Sequence, residues 1–311
     1  MKVVVIGGGT GSFTVLRGLK DKVDDLSAVV TMFDSGGSTG LLRDEFGILP
    51  PGDVRRCLIA LAEDNILRQL FMFRFDEHSS LQGHSFGNLF LTALTEITGS
   101  DAEAISHASK ILRIKGRVLP VSFDQAHVCA GLENGHVIKG EKNIDIPKHD
   151  PNLRIIKTWL EPSAKANPDA IDAIVKADLV VIGPGDLFSS IVPNLLVDGI
   201  PAALKKSRAM KVYVCNLMTK PGETSGFKAS DFLREILKYD CTPDLIVCNT
   251  AKGTPILLRK YADQNQFPVI VDDKEIAKLG VKLITGDVMS APELIRHDSE
   301  KLADLLLKLV R

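Results

Sequence analysis

Val3-Val4-Val5-Ile6-Gly7-Gly8-Gly9-Thr10-Gly11-Ser12 opens the chain with four β-branched residues, then four glycines in five positions; Val15, Leu16 and Leu19 follow at helical spacing. β-branched side chains suit a pleated, buried strand, glycine ends it, and a period near 3.6 marks a helix. The opening therefore reads strand, glycine loop, helix. Ser27 to Phe33 supplies a second apolar strand, and a crossover of about twenty residues between the two fits a parallel pair, one half of a βαβ unit. The pattern predicts an α/β protein with a mostly parallel sheet.

Chemistry follows from the same loop. Glycines let the backbone approach a phosphate while the first N–H groups of the following helix point at it, so Gly8, Gly9, Thr10 and Gly11 form a candidate anion cradle. Gly7 and Gly9 match the first two glycines of a dinucleotide fingerprint, but Ser12 stands where the third would be. The alternative is a tight turn that binds nothing.

Further along, Asp34 closes the second strand, where a Rossmann protein sets a carboxylate on a ribose, and Ser35-Gly36-Gly37-Ser38-Thr39-Gly40 comes directly after it. That run could make a second phosphate nest or a solvated hairpin. The stretch from Asp34 to Asp53 reads as one long ordered loop, of the kind that usually carries function. Pro50-Pro51-Gly52 then delivers Asp53 as a helix N-cap, and Arg55 and Arg56 in the first turn oppose the helix dipole, which points to a nearby anion. From Asp53 to about Ile114 the spacing predicts four helices, capped at Asp53 and Asp101 and broken at Gly83 and Gly99, as an insertion over about 53–115 that covers one side of the sheet. Within it Gly83-His84-Ser85-Phe86-Gly87-Asn88 opens a helix and brings His84 and Asn88 together one turn apart.

Short alternating strands over Arg117 to Val121, Ala126 to Leu132 and His136 to Gly140, the last two joined by Glu133-Asn134-Gly135, predict a small antiparallel excursion over about 117–160. Glu161 to Pro168 is the best internal boundary. A helix then leads to the strand Leu179 to Ile182, followed by Gly183-Pro184-Gly185-Asp186; strands over Val212 to Asn216 and Leu245 to Asn249 and helices over Ala229 to Lys238 and Ser299 to Leu309 complete the alternation. Gly183 and Gly185, just past one strand, and Asn216, at the end of another, fall on the edge where open α/β sheets bind ligands.

Composition narrows the class. The 311 residues carry 38 basic and 39 acidic side chains, 45% hydrophobic and 25% charged residues, which is ordinary globular composition and no electrostatic footprint for nucleic acid. Five cysteines without a C-x-x-C pair argue against a disulfide framework, and seven histidines lack metal-ligand spacing, so no metal site is expected. Neither a signal peptide nor a membrane span is legible, and the chain reads as cytoplasmic.

Taken in order, the segments Gly8 to Gly11, Asp34 to Gly40, Pro51 to Arg55, Gly83 to Leu89, Gly183 to Gly185 and Pro193-Asn194-Leu195-Leu196 resemble the YvcK/CofD-like family, and Asn216 to Thr224 resembles its YvcK branch. The resemblance covers essentially the whole chain as one large domain. It implies a Rossmann-like three-layer α/β/α fold and cytoplasmic binding of a UDP-sugar such as UDP-N-acetylglucosamine. It further implies a regulatory rather than enzymatic role, in cell shape and envelope precursor supply on gluconeogenic carbon sources, with a protein partner and a homo-oligomer as expectations. It places uridine-sugar contacts on Tyr261 and Arg296; an aromatic can stack on or bond a base and a guanidinium can grip a diphosphate. The CofD branch implies instead magnesium-dependent transfer of a phospholactyl group from a guanylylated donor to a deazaflavin. Ser12 and the Ser35 to Gly40 loop depart from the Rossmann fingerprint, so NAD-dependent redox chemistry ranks third.

Overall fold

The computed structural model describes residues 1–63, 65–76 and 79–310. Strand β1 (Lys2–Gly7) passes through α1 (Gly9–Leu19) to β2 (Asp25–Val30), and α2 (Gly37–Phe46), α3 (Pro51–Leu61), α4 (Ile66–Met72), α5 (Phe86–Thr98) and α6 (Asp101–Ile111) precede β3 (Arg117–Pro120). Then come β4 (His127–Leu132), β5 (Val137–Lys139), α7 (Glu141–Asp145) and β6 (Ile155–Glu161). The remainder alternates: α8 (Pro168–Lys176), β7 (Leu179–Ile182), a π-helical turn over Leu187–Ile191, α9 (Val192–Leu195), α10 (Ile200–Lys206), β8 (Met210–Val214), α11 (Ala229–Leu237) and β9 (Leu245–Asn249). It ends with α12 (Pro255–Ala262), α13 (Asp273–Lys278), β10 (Lys282–Gly286), the two-residue strands β11 (Met289–Ser290) and β12 (Arg296–His297), and α14 (Ser299–Leu309).

Seven parallel strands form the main sheet in the order β10-β9-β8-β7-β1-β2-β3. Side chains of β1 alternate between two cores. Val4 and Ile6 join Ile174 of α8, Leu204 of α10 and Phe232 of α11 on one face; Val3 and Val5 join Leu16 of α1, Leu58 of α3 and Leu302 of α14 on the other. A sheet buried on both faces needs apolar residues at every position, which is why β1 and β7 read as unbroken runs rather than alternating ones. The architecture is thus Rossmann-like and three-layered. Among the described residues no helix is long and apolar enough to cross a membrane.

Five expectations change. The stretch predicted as loop between Asp34 and Asp53 contains α2, because Leu42 and Arg43 bury against the rest of the fold and hold a segment whose glycines disfavour helix. Helix α3 begins after Pro50 with Asp53 inside its first turn, and α6 is capped by the Ser100 hydroxyl, not by Asp101. Residues 117–120 belong to the main sheet, paired parallel with β2, so the antiparallel excursion is β5-β4-β6 only. The strand expected over 212–216 spans Met210–Val214, leaving Asn216 beyond its end.

Chain order and spatial order diverge between β1 and β7: from β1 the chain builds β2 and β3 to one side and returns to lay β7 through β10 on the other. At such a switch point the loops at the carboxyl ends part and leave a crevice.

Candidate functional site

The crevice is a cleft of about 610 Å³ at the carboxyl edge of the sheet. Gly9, Thr10, Gly11, Asp34, Gly36, Gly37, Ser38, Asp53, Arg55, Asn88, Gly185, Asn216, Tyr261 and Arg296, drawn from both ends of the chain, line it together.

The glycine loop is crowded before any ligand arrives. A β-carbon on Gly11 would overlap the carbonyl oxygen of Pro184, and one on Gly9 would stand 2.5 Å from both an Asp53 carboxylate oxygen and Arg56 Cδ. Glycine is needed there because the second strand-to-helix loop and α3 close directly on it. Asp53 accepts the Gly9 N–H and so occupies the anion position at the start of α1. Burial first, then the charge of Asp34, pushes its carboxyl up to about 7, against the pull of Arg56. Arg56 itself donates to the Thr10 hydroxyl.

Opposite this loop, the start of α2 is tied to α3 and α5 by buried polar groups. Arg55 Nε donates to Asn88 Oδ1 at 2.8 Å and Arg55 Nη1 to the Phe71 carbonyl at 3.3 Å. Asn88 Nδ2 in turn donates to Ser38 Oγ at 3.2 Å, and Ser38 Oγ lies 3.0 Å from His84 Nδ1. Burial, then the neighbouring Arg56 and Arg74, lowers the Arg55 guanidinium to about 10, still charged at neutral pH. Asp34 accepts the Gly36 N–H at 2.7 Å, which fixes the turn into α2.

The third wall was not legible in the sequence. Helix α7, hung from the antiparallel sheet, brings Glu141, Lys142 and Asp145 to the cleft. Burial, followed by the charges of Asp34 and Asp145, raises the Glu141 carboxyl to about 9. Lys220 bonds Asp145, Asp186 at 2.7 Å and Glu223 at 3.0 Å. Burial opposes its charge, but the three carboxylates outweigh that and hold the ammonium above its ordinary range. Glu223 is buried, accepts the Phe188 N–H at 3.0 Å, and is pushed up to about 7 by burial.

Counting the lining side chains, Arg55, Arg56, Arg74, Lys142, Lys220 and Arg296 face Asp34, Asp53, Glu141, Asp145 and Asp186. Six cationic against five acidic side chains leave the balance positive, and the raised Glu141 and Asp53 carboxyls add to it, as an anion site requires.

Tyr261 and Arg296 close the cleft from the C-terminal side. The Tyr261 hydroxyl accepts the Ile295 N–H at 3.0 Å, which positions the strand carrying the exposed Arg296. Beside it, burial lowers the His297 imidazole to about 4, so that ring is neutral.

Four candidate residues stand behind the lining instead of in it. Gly8 packs under Ser190 and Asp53, and Gly183 adopts φ +74 beneath Val214. Ser35 Oγ accepts the Lys142 N–H at 3.0 Å, and His84 is turned onto Ser38. Arg56, Asp186 and Lys220 lie within motifs legible in the sequence, whereas Arg74, Glu141 and Asp145 sit in no motif; only the packing of distant elements brings them in.

Comparison with known proteins adds identity. The family model described as 2-phospho-L-lactate transferase CofD matches residues 3–289. The gluconeogenesis factor of Halalkalibacterium halodurans is 43% identical, over 98% of this chain and 95% of its own length, and that of Bacillus subtilis is 40% identical, over 100% and 98%. The X-ray structure of a protein from Bacillus halodurans superposes with a TM-score of 0.94 at 42% identity, covering 98% of this chain and 99% of that one.

Proposed function

The chain belongs to the CofD family, with gluconeogenesis factors among its relatives, and from that premise we propose that it is a regulatory binding protein whose ligand is a nucleotide sugar. UDP-N-acetylglucosamine is the representative ligand. In this reading the diphosphate lies between Thr10-Gly11 at the start of α1 and Gly36 to Ser38 at the start of α2, with Arg296 on its open side. The observation that carries it is the convergence in one cleft of two helix starts whose N-cap residues are glycines with no side chain to cap them, with a positive balance of charge. In this reading the protein acts in the cytoplasm, with a protein partner, to sustain cell shape and envelope precursor supply on gluconeogenic carbon sources; its relatives are named gluconeogenesis factors.

A second reading, transfer of a phospholactyl group onto a deazaflavin, is favoured by the family model that the chain matches. It brings magnesium with it. Among the described residues, Asp145, Asp186 and Glu223 form the one group of three carboxylates close enough to share an ion, and the Lys220 ammonium already contacts all three, so that group does not fit a metal.

A thermal-shift and calorimetric panel of UDP-N-acetylglucosamine, UDP, GDP and NAD, each with and without magnesium, separates the two. A ligand at 100 times its Kd stabilises the protein by about 2.7 kcal/mol. Stabilisation by UDP-sugars without turnover is the expected result. Stabilisation by GDP with magnesium alone, together with phospholactyl transfer, would replace the regulator by the transferase.

A further inference from the structure

A second cavity of about 240 Å³ opens at the carboxyl ends of β8 and β9. Asn216, Leu217, Met218 and Ile295 line both it and the polar cleft, so the two spaces share a wall. Tyr261 fixes that wall through its bond to the Ile295 N–H.

The side chamber differs in kind from the cleft. Cys215, Cys248, Met289, Val269 and Val271 give it a soft, apolar surface, and its one charged side chain, Lys252, is exposed. A phosphate finds no glycine-capped helix start there. A sugar would need a partner for each hydroxyl, and the carboxamide of Asn249 is already spent: its nitrogen donates to the Ala251 carbonyl at 2.8 Å and its oxygen accepts the N–H groups of Ala251 and Val288, each at 3.2 Å. Asn216, in the shared wall, is different, since its side-chain oxygen is buried without a hydrogen-bond partner among the described residues. What suits such a chamber is a neutral flat ring. Thiols and thioethers pack well against aromatic faces, and a carboxamide, with donor and acceptor side by side, matches the edge of a nucleobase.

We propose that the side chamber receives the nucleobase of the nucleotide whose phosphates occupy the main cleft, with Asn216 bonding the edge of the base. This rests on the nucleotide-binding reading above. The phosphates then lie over β1 and β7, the ribose crosses the wall at Leu217 and Ile295, and the base ends over β8 and β9.

Filling the chamber tests it. Ala251→Phe and Val269→Phe, made separately, place an aromatic ring inside it from positions that line the chamber but not the polar cleft. Binding of UDP and of inorganic pyrophosphate is measured by calorimetry in each. Wild-type protein is expected to bind UDP more tightly than pyrophosphate, and each variant to lose at least tenfold in UDP affinity while pyrophosphate affinity stays within about twofold. A variant that keeps the full preference for UDP overturns the chamber assignment and leaves the nucleotide reading standing; wild-type protein that binds no UDP removes both. Should both variants fail to fold, photocrosslinking of 4-thio-UDP to wild-type protein decides. Attachment to Cys215 or Asn216, within 248–253 or 268–271, or at Met289 supports the assignment, and attachment elsewhere overturns it.

Discussion

Replacing Asn88 by alanine removes the acceptor used by a buried guanidinium and the donor that pins the start of α2. Asn88 and Arg55 are 2% and 7% exposed, so water cannot stand in for the lost carboxamide without opening the core. A hydrogen bond to a charged group contributes about 1.5–3 kcal/mol, and a neutral one such as that to Ser38 about 0.5–1.5. Arg55 keeps its bond to the Phe71 carbonyl, which trims the loss. The expected destabilisation is about 2–3 kcal/mol, read as a lower urea midpoint at unchanged m-value. Asn88→Asp keeps an acceptor for Arg55 and should recover most of it. Ligand affinity should fall along with stability, because Ser38 and the N–H groups of Gly37 and Ser38 are aligned by this network. An Asn88→Ala protein within about 0.5 kcal/mol of wild type would show that the network does not hold the site.

Gly11→Ala forces its β-carbon into the Pro184 carbonyl, so it should cost about 1–3 kcal/mol and weaken ligand binding even though only a methyl is added; unchanged melting and affinity would refute the close approach. Asp53, raised from an ordinary value of 3.8 to about 7, binds its proton more tightly folded than unfolded, so its contribution to stability is full below pH 4 and is lost as pH rises through 7. Anion affinity falls over the same upper range as the carboxylate forms beside the helix start, and pH titrations of stability and of diphosphate affinity should both flatten in Asp53→Asn; profiles that stay parallel to wild type would contradict this. Arg296→Ala should lower affinity for a UDP-sugar ten- to a hundredfold by calorimetry, the equivalent of about 1.5–3 kcal/mol. Tyr261→Phe should lower it less, since the ring stays and only the tie to Ile295 goes, and wild-type affinity in both variants would detach the C-terminal wall from the site.

Local rules made much of this legible. The β1-loop-α1 start, the parallel pairing of β1 with β2, the four helices after Asp53 and the opening of α5 at Ser85 follow from sterics, hydrophobic period and cap chemistry, which act over a few residues. Helix α2 was hidden for the opposite reason: Gly37, Ser38, Thr39 and Gly40 are poor helix formers, and the helix exists because Leu42 and Arg43 are buried and Asn88 reaches Ser38 from 50 positions away. The family motifs marked loops on one sheet edge, but their mutual approach depends on strand order, which places β7 beside β1 although 171 residues separate the end of one from the start of the other. The acidic wall is the clearest case. Glu141 and Asp145 lie in a short helix with no motif, and they belong to the site because Lys220, 75 residues on, meets Asp145 across the cleft and Ser35, 106 positions back, bonds Glu141. Periodicity and propensity report what a segment does with its neighbours in the chain; charge balance, raised carboxyl pKa values and the side chamber arise between segments that the chain sets far apart, and the tertiary structure alone decides them.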